Sequence, residues 1–466
     1  MLRMVGTSLA SALIAVALAL VTQRGLAPAA QDTAGPLPID YVIVIYLENH
    51  SFDNLYGLFP GADGLANTEG APPQTDLDGS PYTTLPRPVD TTLRPPGPDP
   101  RFPDDLPNRP FDIGRYVPPT EKTGDLIHAY YRHQYQIDGG KMDRFAYWSD
   151  AKGLAMGYYD TTGLPLARWA REYTLADRFF QAAFGGSFLN HLWLVCACTP
   201  VWPNAPADVV SIPFPDHPDY LQDRSVRPDG YAVNTTQPYY PPYRDTPDDH
   251  RLPPQRLPHI GDRLDAAGVS WAWYAGGWND AVAGHPGPLF QYHHQPFDYF
   301  ADVGGDPAAR ARHLKDEADF TTALANGTLP HVSWVKPYGA DNEHPGYADV
   351  ITGEQHVEAL LRQIQASAYW FRAAVIVTYD EHGGYWDHVP PPVVDEWGPG
   401  ERVPALVISP FARRGYVDHT VYDTTSILKL IETRWRLAPL GSRDAAASDL
   451  TGAFELPAPP PPVNSR

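Results

Sequence analysis

Cysteine is nearly missing from the chain. Two occur in 466 residues, Cys196 and Cys198, so the fold is not a disulfide scaffold. A bridge across one intervening residue is expected to be strained; the pair reads as two small buried side chains rather than a redox or metal site. Positive charge is also scarce: 35 Lys and Arg stand against 55 Asp and Glu, a formal net charge of -20. That balance argues against non-specific nucleic-acid binding and against attraction to an anionic membrane. Long apolar runs are absent apart from Leu9 to Val21, which follows Arg3 and precedes the small residues Ala27, Ala29 and Ala30. This reads as an export signal over residues 1–30, with a mature chain starting near Gln31 in the periplasm or outside the cell. The run is shorter than a span of about 20 residues, and uncleaved anchoring is the alternative. There is no internal repeat and no Gly-rich nucleotide loop.

Proline is abundant, with 52 residues, roughly twice the usual share of about 5%. Two stretches, 61–119 and 201–258, are rich in Pro, Asp, Gly or Thr without periodicity and read as loop insertions; 457–466 reads as a Pro-rich tail. The rest of 31–456 is expected to form a single domain. Asp40 to Leu47 and Ala373 to Tyr379 are continuous apolar, β-branched runs that predict buried strands, joined by Ala405 to Ser409 and, more weakly, Val269 to Ala275 and His331 to Val335. Gly353 to Phe371 and Thr424 to Trp435 carry apolar residues at helical spacing. Such alternation predicts an α/β fold whose mostly parallel sheet is sandwiched by helices, with ligands bound at the carboxyl ends of strands.

Both strong strands run into acids. Glu48 and Asn49 follow the first, in ENHSFDN; Asp380 and Glu381 follow the second, in YDEHGGYWDH. Each pair reads equally well, taken alone, as a cap for a following helix. On neighbouring strands they favour a site for one divalent cation, since carboxylate and amide oxygens suit a hard ion and adjacent acids otherwise repel. A third segment, AAFGGSFLNHLWLV, sets Ser187 behind Gly185 and Gly186 at a helix start. Backbone N–H groups there stabilise an alkoxide or a phosphoryl group, although a plain N-cap is the simpler local reading. Among 17 histidines, His128, His293, His294 and His344 stand in polar contexts where imidazole can donate to phosphate oxygens, although for each taken alone a structural or surface role is the simpler reading. The acidic chain needs a local positive charge to handle phosphate, and a bound cation supplies one.

These motifs resemble the bacterial phosphoesterases that join non-haemolytic phospholipases C with respiratory-burst-inhibiting acid phosphatases. The matching pieces are ENHSFDNLYG, DLIHAYYRHQYQIDGGKMDRF, FGGSFLNHLWL, LFQYHHQPFDYF, NEHPGY and YDEHGGYWDHVPPP, spread from Glu48 to Pro392. The resemblance implies an alkaline-phosphatase-like core and assigns roles: Glu48, Asn49, Asp380 and Glu381 hold the metal, Ser187 is the nucleophile, and His128, His293, His294 and His344 surround the phosphate. Glu381 departs from the family pattern, which has a second aspartate there. The GGS turn at Ser187, in place of a threonine in a proline-containing turn, and the short chain after Trp435 point to the acid-phosphatase branch.

The expected activity is hydrolysis of phosphate monoesters through a phosphoserine, with His344 or His128 protonating the leaving oxygen. A phospholipase C acting on diester headgroups is the alternative, for which Trp271, Trp273, Tyr274 and Trp278 offer either an apolar approach surface or core. A non-catalytic phosphate- or metal-binding protein is the third reading. No motif of the sulfatase type lies near the first acids.

Overall fold

The central strand is fixed by its own sequence. Tyr41–Leu47 (β1) is seven residues of almost unbroken aliphatic or aromatic side chain, buried on both faces from Val42 to Leu47, and a strand covered on both faces belongs in the middle of a parallel sheet. The computed structural model describes residues 37–455, all within one compact unit; the expected signal segment and the Pro-rich tail lie outside the described residues. Seven further strands join β1: Thr174–Ala176 (β2), Trp271–Ala275 (β3), Leu314–Asp316 (β4), Val332–Lys336 (β5), Ala373–Tyr379 (β6), Ala405–Ile408 (β7) and Tyr416–Asp418 (β8). Their order is β4-β3-β5-β1-β6-β7-β2-β8. Neighbours are parallel except where β7 runs between β6 and β2, so one strand is reversed and the sheet is α/β and mostly parallel, as expected. The register Leu47↔Tyr379 sets the ends of β1 and β6 side by side.

The two helices predicted from apolar spacing differ from expectation only at their ends, and local caps explain why. Val350–Ala366 starts earlier than the apolar periodicity shows because Asp349 caps it, accepting from Thr352 N at 2.8 Å. It stops short of Phe371 because Ser367 is extended and its hydroxyl donates to the Ile364 carbonyl at 2.7 Å. Val357, Leu360, Leu361 and Ile364 form its buried face, as predicted. Thr425–Trp435 follows Asp423, which accepts from Thr425 N at 2.7 Å.

Two sequence readings need correction or completion. Cys196 and Cys198 are joined in a disulfide rather than free. Ala197 takes a left-handed conformation, φ 46°, as the preceding helix ends; this folds the chain back and brings the two Cα atoms to 5.1 Å, within the usual bridging range of about 4.4–6.8 Å. Trp271, Trp273, Tyr274 and Trp278 are all buried, so they are core and form no approach surface for acyl chains.

The two Pro-rich stretches carry little regular structure, and side chains stand in for ladder partners. Asn108 Nδ2 donates to the carbonyls of Gln74 and Tyr82 at 2.8 and 2.9 Å, and Arg224 holds the carbonyls of Ala207, Asp208 and Val210. Backbone groups without a sheet still need partners. Among the described residues no helix is long and apolar enough to cross a membrane.

Candidate active site

Parallel strands deliver their last residues to one edge of the sheet, and three of them deliver charge there. β1 ends in Glu48 and Asn49, β6 in Asp380 and Glu381, and β5 in Lys336. Asn49 turns left-handed, φ 70°, and its N–H donates to Asp380 Oδ1 at 3.2 Å. The β6 end crosses close above it: a Cβ at Gly383 would stand 2.0 Å from the Asn49 carbonyl, so only glycine fits. Gly383 N in turn donates to Glu381 Oε2 at 2.6 Å.

All three carboxylates are buried. Lys336 Nζ lies 2.9 Å from Glu48 Oε1 and 3.8 Å from Asp380 Oδ2, one positive charge among three acids. Burial pushes Asp380 up to about 6, opposed by Lys336, and burial with the Asp380 charge pushes Glu381 well above the carboxylate range. Burial acts on Glu48 in the same sense, but His294, Lys336 and His344 together outweigh it and hold Glu48 well below that range. Glu48 Oε2, Asp380 Oδ2 and Glu381 Oε1 are buried without a hydrogen bond, while Glu48 Oε1 faces Lys336 Nζ and His294 Nε2. Unpaired buried carboxylate oxygens are costly, and a hard divalent cation is the ligand that suits such a donor set.

Ser187 stands over this cluster. It opens the helix Ser187–Cys196, its Oγ donating to Asn49 Oδ1 at 3.3 Å. Gly185 and Gly186 let the turn run against the segment that carries His128; Cβ atoms there would meet the Tyr130 backbone at 2.8 Å and the His128 carbonyl at 2.7 Å. His128 donates from Nδ1 to the Leu126 carbonyl at 2.5 Å, which leaves Nε2 to accept from Asn49 Nδ2 at 3.4 Å. His344 lies with Nε2 3.8 Å from Glu48 Oε2, its ring stacked on Tyr347 at 3.9 Å. His294 packs its Nε2 against Glu48 Oε1; burial lowers His294 to about 4 and holds His293 well below the usual imidazole range.

The nine residues singled out from sequence thus lie around one centre, at two depths. Glu48, His128, Ser187, His293 and His344 line a cavity of about 930 Å³, and both Pro-rich stretches wall it with Thr91, Arg94, Asn234 and Arg244. Asn49, Asp380, Glu381 and His294 lie beneath.

Three residues escaped the sequence reading. Lys336 directly follows the weak strand prediction and was open to the same strand-end rule as the acids. His191 lies one turn after Ser187, is fully buried, donates from Nδ1 to the Ser187 carbonyl at 2.7 Å and leaves Nε2 unpartnered. Its donor atom lies within 4.8 Å of those of Glu48 and His294, a second grouping able to hold a metal. Asp125, on the cavity wall, is pushed up to about 6 by burial.

The model of the phosphoesterase family matches residues 39–438. The chain belongs to the phosphoesterase family. Phospholipase C B of Mycobacterium tuberculosis is 28% identical over 487 residues, covering 92% of this chain and 81% of that one. The non-hemolytic phospholipase C of Pseudomonas aeruginosa is 26% identical over 480 residues, covering 93% and 60%. Among solved structures, an alkaline phosphatase superfamily protein from Vibrio parahaemolyticus aligns at a TM-score of 0.32 and 10% identity, covering 58% of this chain and 60% of that one. The phosphoesterase is accordingly a hydrolase of phosphoric ester bonds.

Proposed function

We propose that this phosphoesterase hydrolyses phosphate monoesters with hydrophilic leaving groups, using Ser187 as nucleophile, and that it acts after export. The observation that carries the reading is the placement of Ser187 Oγ at a helix start, 3.3 Å from Asn49 Oδ1, above three buried carboxylates with unpartnered oxygens.

A divalent cation held by Glu48, Asn49, Asp380 and Glu381 supplies a Lewis acid that favours the serine alkoxide and the phosphoryl charge. The rest falls to the chain. Backbone N–H groups of the first helical turn and the positive helix end favour negative charge at Ser187. As the ester oxygen leaves, Ser187 Oγ bonds to phosphorus and loses its proton to solvent through the open cavity, and protonated His344 gives the leaving oxygen a proton. His128 and His293, on the cavity wall, orient the phosphate, whereas His294 lies beneath it and bears on Glu48 rather than on phosphate. Water then attacks phosphorus, the Oγ–P bond breaks, and Ser187 regains its proton.

The choice of monoester rests on the cavity wall. Thr91, Thr92, Arg94, Asn234, Gln237 and Arg244 line it beside Ile127, Phe188 and Tyr292, and the clustered tryptophans of β3 are core, so the wall offers polar groups to a hydrophilic leaving group and no tryptophan surface to an acyl chain. The phospholipase C reading is favoured by the names of the relatives. Parallel assays on a chromogenic phosphomonoester and on phosphatidylcholine separate the two: a preference for the monoester at acid pH is expected, and a preference for the lipid overturns the monoester reading.

A further inference from the structure

The nucleophile turn has to be held at a fixed height over the strand ends, and a buried polar knot outside the cavity does this. His133 lies on the helix Tyr130–Ile137 and is fully buried together with Glu401, Gln181 and His382. Its Nδ1 accepts the Gly185 N–H at 2.8 Å. A neutral imidazole whose Nδ1 accepts carries its proton on Nε2, and that nitrogen faces Glu401 Oε2. Gly185 is left-handed, φ 88°, so its N–H points where no helix or strand partner reaches it.

Gln181 ties the other end. Its Nε2 donates to the Ala183 and Gly185 carbonyls at 2.7 and 3.0 Å, and its Oε1 accepts from His382 N at 2.9 Å. The turn that presents Ser187 and the strand end that presents Asp380 and Glu381 therefore share one side chain. Backbone bonds between residues 181 and 400–401 close the knot, and a Cβ at Gly400 would meet His133 Cε1 at 2.5 Å.

We infer that His133 is a positioning residue for catalysis: accepting the Gly185 N–H through Nδ1 and anchored by Glu401, it sets the distance from Ser187 Oγ to the metal-ligand strand ends. The inference rests on Ser187 being the nucleophile. A turn displaced by about 1 Å lowers turnover by roughly 10²-fold without removing any group that touches phosphate or metal.

The test compares H133N and H133Q on whichever ester the wild type turns over, with bound metal, phosphate affinity and circular dichroism measured alongside. Asparagine sets its Oδ1 near where Nδ1 stands and keeps the acceptor; glutamine reaches toward Glu401 and leaves the Gly185 N–H bare. The expected result is kcat within a few-fold of wild type for H133N and about 10²-fold lower for H133Q, with KM and metal content unchanged in both. Equal kcat in the two variants, or a better H133Q, overturns the inference, as does a loss that follows metal content. S187A is run beside them: activity there removes the nucleophile reading itself, whatever the two His133 variants do.

Discussion

Among the described residues, two of the buried acid clusters differ in how far neighbouring side chains partner their oxygens. Asp53 and Asp387 are as deeply buried as Glu48 and Asp380, but Arg402 reaches both: Nε donates to Asp387 Oδ1 at 2.8 Å and Nη2 to Asp53 Oδ1 at 3.2 Å. His388 Nδ1 adds a bond to Asp53 Oδ2 at 2.6 Å, and among the described residues none of these side chains has an unpartnered buried atom. The strand-end cluster gathers three carboxylates, sets Lys336 and His294 against Glu48, and leaves Glu48 Oε2, Asp380 Oδ2 and Glu381 Oε1 without a hydrogen bond. The first arrangement is complete and structural. The second leaves oxygens open to a cation where neighbouring parallel strands end, and that position distinguishes it from acids such as Glu354, Glu401 and Glu432, which are also buried with unpartnered oxygens.

The comparison is broken most sharply at Ser187. S187A should lower turnover by at least about 10³-fold while far-UV circular dichroism and the melting temperature stay near wild type; steady-state assay of the purified variant checks both, and wild-type turnover removes the nucleophile from the strand-end cluster. Next comes D387N, which leaves Arg402 short of a charge partner in the complete cluster. A loss of about 3–5 kcal/mol of stability is expected, read by urea unfolding, with KM unchanged at permissive temperature. A third comparison is H344N, expected to lower kcat by about 10²-fold on esters with poor leaving groups and far less on a nitrophenyl ester. A uniform loss on both would place His344 elsewhere than at the leaving oxygen.

The smallest effect is a change of sign. Burial raises Asp380 to about 6 from a usual 3.8, so in metal-free protein its burial penalty is absent below the unfolded value and fully felt above about 6. Metal-free protein should lose stability as pH rises through that window, and added divalent cation should stabilise it more at alkaline than at acid pH. D380N should stabilise the metal-free form by roughly 1–3 kcal/mol above neutrality, the reverse of D387N. Thermal melts of chelator-treated protein, with and without cation, measure this directly.

The sequence showed the frame of this site because β1 and β6 are unbroken apolar runs that stop at acids. A parallel sheet then leaves little choice about where those acids go. Short strands such as Leu314–Asp316 and Tyr416–Asp418 hold too few residues for a period and went unread. His191 was hidden for the opposite reason: it sits in the wholly buried helix SFLNHLWLVC, where a lone imidazole looks like core. The contrast between the two acid clusters was not legible at all. Arg402 follows Asp387 by fifteen residues, while Lys336 lies 289 residues from Leu47, whose carbonyl it reaches, and only tertiary packing shows which acids gain a partner.

The most direct measurement is turnover of a chromogenic phosphomonoester by protein stripped with chelator, then supplied singly with calcium, magnesium, manganese or zinc. The account predicts that stripping abolishes activity and that at least one of these cations restores it in wild type but not in D380N. Undiminished activity in exhaustively stripped protein would contradict it.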